Sequence, residues 1–95
     1  MENNSKKEGY LEIFPEINYG DDINITIIGD PKGLRHLAVL LNELANVCQD
    51  DILELPIGER EHIHLHKSGQ LGDHSCEVEI CRADAKGTGE YPALG

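Results

Sequence analysis

His62, His64 and His66 alternate with Ile63 and Leu65, and they are the one constellation in this chain whose residue types and spacing could do chemistry. On a strand, spacing by two puts all three imidazoles on one side, where a transition metal could be held. Same-face neighbours on a strand lie roughly 6.5–7 Å apart, so the outer two are too distant for one ion. A workable site would take two of them with Glu77, Glu79 or His74. The ligand set matches no closed zinc pattern, and a histidine opposite a glutamate is also an ordinary cross-strand pair on a wet face. Metal binding through His62, His64 and His66, in a small histidine-dependent metal protein or enzyme, is therefore the alternative to a chain that needs no cofactor.

Other chemistry has less support. The turn Gly29-Asp30-Pro31-Lys32-Gly33 superficially resembles a phosphate cradle, but it lacks the glycine spacing of a dinucleotide fingerprint and the Gly-Lys-Ser/Thr of a P-loop. Asp30 would also put a carboxylate where the anion should sit. Ser68, Ser75 and the three cysteines lie in no recognised nucleophile elbow. Cys48, Cys76 and Cys81 are odd in number and form no C-x-x-C pair, which suits buried or incidental thiols in a reducing compartment. The carboxylates form no pattern that would hold a pair in a dry cleft. The expectation is a protein that is not an enzyme.

Charge says more about partners. Eighteen acidic residues face eight basic ones, for a net charge of −10. Phosphate binding needs clustered Lys and Arg, so nucleic acid and anionic membranes are poor partners, and a basic protein is the kind such a field attracts. The same acidity also serves to keep a small protein in solution. No apolar run reaches membrane-spanning length and no secretory h-region opens the chain, so a cytoplasmic location is expected. Asp50, Asp51, Glu54, Glu59 and Glu61 crowd one connection, with Arg60 as its one base.

These side chains must be positioned by a small scaffold. With 95 residues, 39% of them hydrophobic, the chain makes one domain with a modest core. A chain of this size buries roughly 60–65% of its unfolded surface. Leu11, Ile13 and Ile17 alternate with acids in a first strand, where Pro15 implies an edge or a bulge. Ile23, Ile25 and Ile27 alternate in a second, its hairpin partner. Asp30 is an N-cap and Pro31 suits the first helical position. Leu34, Leu37, Ala38, Leu41, Leu44, Ala45 and Cys48 then form one stripe of a helix over about 31–48. His62–His66 and Ser75–Arg82 read as a second hairpin.

The expected fold is α+β, in the order ββαββ, with one four-stranded antiparallel sheet and the helix on one face. Residues 1–9 read as a flexible N-terminus, 10–82 as the domain and 83–95 as an irregular C-terminal tail. The covered face would hold Leu11, Ile13, Ile23, Ile25, Ile27, Ile63, Leu65, Cys76, Val78 and Ile80. The open face would show Glu12, Phe14, His64, Glu77 and Glu79.

The order T-I-I-G-D-P-K-G-L-R-H-L-A-V-L-L, then H-I-H-L-H, a glycine-containing loop and S-C-E-V-E-I, resembles the immunity protein 32 family over roughly residues 23 to 82. Gly29, Gly33, Leu34, Leu37, His64, Leu65 and Ser75 carry the match, while His66-Lys67 stands where the family's loop often has an Asp-Pro-like pair. The resemblance implies a bacterial inhibitor that binds and neutralises the toxin domain of a polymorphic, contact-dependent inhibition system. Two surfaces compete for that contact: the connection with Asp50, Asp51, Glu54, Glu59 and Glu61, and the open face with Phe14, His64, Glu77 and Glu79. A homodimer pairing its open faces is compatible with either.

Overall fold

The computed structural model describes residues 9–17, 20, 22–67 and 69–93. The expected flexible segment 1–8, the turn residues Asn18, Tyr19 and Asp21, Ser68 and the last two residues of the tail lie outside the described set. Five regular elements follow in order: β1 (Leu11–Ile17), β2 (Ile23–Gly29), α1 (Pro31–Asn46), β3 (His62–Leu65) and β4 (Val78–Cys81), with a short 3₁₀ turn at Gln49–Asp51.

The fold is α+β, but the strands form two two-stranded antiparallel sheets, β1–β2 and β3–β4, in place of the single four-stranded sheet expected. The reason lies in residues 72–76, which run along the free edge of β1. Gly72 N donates to Leu11 O at 2.9 Å and Cys76 N to Ile13 O at 3.0 Å. Between them the next rung is made by a side chain: Ile13 N donates to Ser75 Oγ at 2.9 Å. A hydroxyl standing in for a carbonyl interrupts the ladder, so the hairpins are joined without becoming one sheet. Leu11 and Ile13 thus turn their backbone groups away from β2, and by alternation so does Pro15. Its missing N–H falls on the outer edge and costs no rung of the β1–β2 ladder.

The helix starts as its sequence dictates. Asp30 Oδ1 accepts from Gly33 N at 2.7 Å, and also from Tyr10 N at 3.0 Å. Asp30 N in turn donates to Tyr10 O at 3.1 Å. One residue therefore caps α1 and fastens it to the start of β1. Gly33 is needed there, because a Cβ would run into the Tyr10 carbonyl. At the other end, Arg82 Nη1 caps the helix by donating to the Leu44 and Val47 carbonyls at 3.1 and 2.9 Å.

The core sits where the helix meets both hairpins: Leu11, Ile13, Leu37, Leu65 and Leu71, with Leu40, Ile63, Val78 and Ile80 against them. The helix presents Gly33, Leu37 and Leu44 inward and leaves Leu34 and Leu41 exposed, so its buried stripe is narrower than the sequence suggested. It also reaches only the base of the first hairpin. Ile23, Ile25 and Ile27, expected under the helix, are 64%, 63% and 50% exposed. The molecule is accordingly flat, 45 × 42 × 19 Å. Cys76, expected inward, is exposed, with its thiol 3.6 Å from Ile13 O.

The two amide bonds, from Gly33 first and Tyr10 second, hold the Asp30 carboxyl below its ordinary value of 3.8. A folded value below the unfolded one gives stabilisation that is complete above about pH 4–5 and is lost as pH falls through the folded value. The urea midpoint of the wild-type protein should therefore drop on acidification below about pH 4. Asp30→Asn, which keeps an accepting oxygen at the cap, should start lower at neutral pH and lose less on acidification. Identical acid profiles for the two proteins would contradict the latch.

Candidate functional site

The β3–β4 register places His62 opposite Cys81 and His64 opposite Glu79, and beyond the ladder His66 meets Glu77. Ligand atoms of His62, His64 and Glu79 all lie within 4.8 Å of one another, and all three residues are exposed. The group the structure gathers is thus two histidines and a glutamate. His66 is engaged elsewhere: its Nδ1 lies 2.5 Å from Glu77 Oε1, and its ring stacks on that of His64 with centroids 5.9 Å apart. The hydrogen bond from His66, then that from the Lys67 amide, lowers the Glu77 pKa. His62 Nε2 approaches Glu79 Oε2 to 4.0 Å, while its Nδ1 is 3.4 Å from Arg60 O.

Two of the thiols, Cys48 and Cys81, are held toward the neutral form. Burial, then Glu79, raises the Cys81 pKa, and hydrogen bonding to Asp51 raises that of Cys48. Both shifts favour the neutral thiol.

The connection from 49 to 61 is organised by cations that turn inward. Lys86, only 8% exposed, donates from Nζ to Ile52 O at 2.5 Å and Leu55 O at 2.6 Å. Its backbone pairs with Gly58 N and Glu59 O. Arg60 donates to Ala83 O and Glu90 O, both at 2.8 Å. The buried Gln49 side chain bridges Asp84 O and Glu61 N. Residues 83–90 carry no helix or strand, yet these bonds tie them firmly to the connection. Asp50 accepts from Gly87 N at 2.9 Å. Among the described residues no ion pair engages Asp50, Asp51, Glu54, Glu59 or Glu61. The first four are exposed and Glu61 is half-buried.

The expected open face does not exist as one surface, since Phe14 lies on the β1–β2 sheet, His64 and Glu79 lie on the β3–β4 sheet, and Glu77 falls just before β4. Phe14 instead helps line a cup of about 500 Å³ with Tyr10, Glu12, Pro15, Ile28 and His74. Glu12, expected to be exposed, is 3% exposed. Its Oε1 accepts from Ser75 Oγ at 2.8 Å, and it presses against Gly72, where a Cβ would collide with it. Alternation alone could not reveal this. The signal was Gly72 and Ser75 three apart in a loop, one leaving room and the other supplying a donor.

The fold is a flat α+β module with a densely acidic connection in which Arg60 and the buried Lys86 donate to backbone carbonyls. The family model for Immunity protein 32 matches residues 24–83, well over half of the chain. The chain belongs to the Immunity protein 32 family, and an immunity role against a toxin protein follows. No curated protein and no solved structure matches it. No helix among the described residues is long and apolar enough to cross a membrane.

Ser75→Ala would leave a buried amide of Ile13 and a carboxyl oxygen of Glu12 without partners. The expected loss is about 2 kcal/mol by urea denaturation. A loss below about 0.5 kcal/mol, the scale of surface substitutions, would mean the joint is not structural.

Proposed function

We propose that this protein neutralises a cognate toxin domain by binding it, without catalysis, through the acidic connection at 49–61. The carrying observation is the arrangement of charge there: Arg60 and Lys86 donate to backbone carbonyls, no described ion pair engages the surrounding carboxylates, and Asp50, Asp51, Glu54 and Glu59 face solvent. Such a field speeds encounter with a basic surface, and a nuclease-type toxin cleft, built for phosphate, is the complementary target. The carboxylates would stand where phosphate oxygens bind. The immunity role that comes with the family supports the same reading. Rim charges of this kind set association rate and salt dependence, while apolar anchors set lifetime.

A second reading has its own observation. His62, His64 and Glu79 converge closely enough for modest side-chain rotation to bring them around one divalent transition-metal ion. The Arg60 carbonyl beside His62 Nδ1 would favour the tautomer whose Nε2 is free to ligate.

Glu54→Lys with Glu59→Lys should slow association with the toxin domain about tenfold at low salt, with dissociation and circular dichroism unchanged. The pair avoids Asp50, whose carboxylate holds the Gly87 amide. An unchanged association rate would place the contact elsewhere. For the second reading, protein prepared without a histidine tag should retain one equivalent of zinc on equilibrium dialysis, and His64→Ala should lose it. No retained zinc in the wild type would remove that reading.

A further inference from the structure

We propose that the cup between Tyr10, Phe14 and Ile28 is a receptor for one arginine side chain of the protein partner, with Glu12 as its counter-charge; this assignment of partner rests on the toxin-binding reading above.

The cup lies on the face of the first hairpin opposite Ile23, Ile25 and Ile27. The register pairs Glu12 with Ile28 and Phe14 with Thr26, so one face carries all four side chains. The chain has only three Tyr, one Phe and no Trp, and two of those four aromatics, Tyr10 and Phe14, line this one cup. An acidic protein this poor in aromatic residues has gathered half of them around a carboxyl group.

That carboxyl is only partly satisfied. The Glu12 side chain is 5% exposed, and the imidazole of His74 approaches it, with Nδ1 3.8 Å from Oε2 and a side chain 89% exposed. Ser75 serves Oε1. The Tyr10 phenol also lies beside the carboxyl, its pKa raised by burial, then by the Glu12 charge and by a hydrogen bond with Glu12; what the carboxylate lacks among the described residues is a Lys or Arg partner. A carboxylate largely removed from water and without a Lys or Arg beside it gains from a cation that also brings several donors.

The walls decide which cation. An anion is repelled, and a purely apolar side chain would bury the carboxyl further without pairing it. A guanidinium offers planar N–H groups to both carboxyl oxygens and a flat face to the Tyr10 and Phe14 rings. An ammonium has the charge without the plane, so lysine should bind less well. Seated in a concave, largely apolar pocket, such an arginine would be an anchor of the kind that dominates binding energy, separate from the solvated acids of the connection.

The direct test is an NMR titration of isotopically labelled protein with N-acetyl-arginine N-methylamide, and in parallel with the corresponding lysine and norleucine amides. Saturable shifts at Tyr10, Phe14 and Ile28 are expected with arginine, weaker ones with lysine and none with norleucine. Glu12→Gln keeps an acceptor for Ser75 and should abolish the arginine response; should that variant fail to fold, Ile28→Trp, which fills the cup from the neighbouring strand, serves the same purpose. No saturable shift with arginine, an equal response to norleucine, or a response unaltered in a folded Glu12→Gln or Ile28→Trp protein would overturn the proposal. In the toxin complex, Glu12→Gln should raise the dissociation rate at least tenfold. A complex that ignores the substitution overturns the arginine anchor and leaves neutralisation intact, whereas absence of any complex with the wild type overturns neutralisation itself.

Discussion

A side-chain hydroxyl sits at the centre of the joint between the two hairpins, flanked by the Gly72–Leu11 and Cys76–Ile13 backbone bonds. Ser75 Oγ accepts from the Ile13 amide and donates to Glu12, in a place where sheet pairing would have supplied a carbonyl. The bond seats the loop before β4 against β1 and brings Leu65 and Leu71 against Leu11 and Ile13. It also fixes the Glu12 carboxyl at the floor of the cup. Gly72 leaves the room that arrangement needs. A continuous four-stranded sheet would have put Glu12 in solvent, and no buried acid would exist. Packing of the hairpins and the burial of Glu12 thus depend on the same few atoms.

The distribution of charge follows from a similar economy. With eight basic residues against eighteen acidic ones, each cation bonded to a backbone carbonyl is one fewer in an ion pair with a surface acid. Lys86 holds the connection together through the Ile52 and Leu55 carbonyls, Arg60 binds those of Ala83 and Glu90, and Arg82 closes the helix C-terminus while pairing with Asp84. Backbone carbonyls are good partners for these groups because they satisfy the cation without cancelling the surface carboxylates. The bonds that order an irregular segment are therefore the bonds that leave its acids available.

Much of the scaffold was legible in the chain. Period-two alternation of isoleucine marked the strands, and Asp30-Pro31 marked the helix start to the residue, because capping is a local interaction that sequence spacing encodes. What alternation cannot carry is the identity of the partner across an edge. It gave the right face for Ile23, Ile25 and Ile27 but not the reach of a sixteen-residue helix, which stops at the hairpin base. It put Glu12 outward because acids usually are, and only the side-chain rung from Ser75 reverses that. Lys86 was read as part of an irregular tail, since nothing local shows that its target carbonyls lie more than thirty residues back. For the histidine row, period two aligned the imidazoles, while the cross-strand register selected His62, His64 and Glu79 and gave His66 to Glu77.

The central claim is that an uncompensated acidic surface, without a reactive centre, is what this chain brings to its toxin. Stopped-flow association with the toxin domain across a range of ionic strength tests it most directly. The account predicts a fast rate at low salt that falls steeply as salt rises, with dissociation nearly constant. An association rate indifferent to salt, or no complex at low salt, would contradict it.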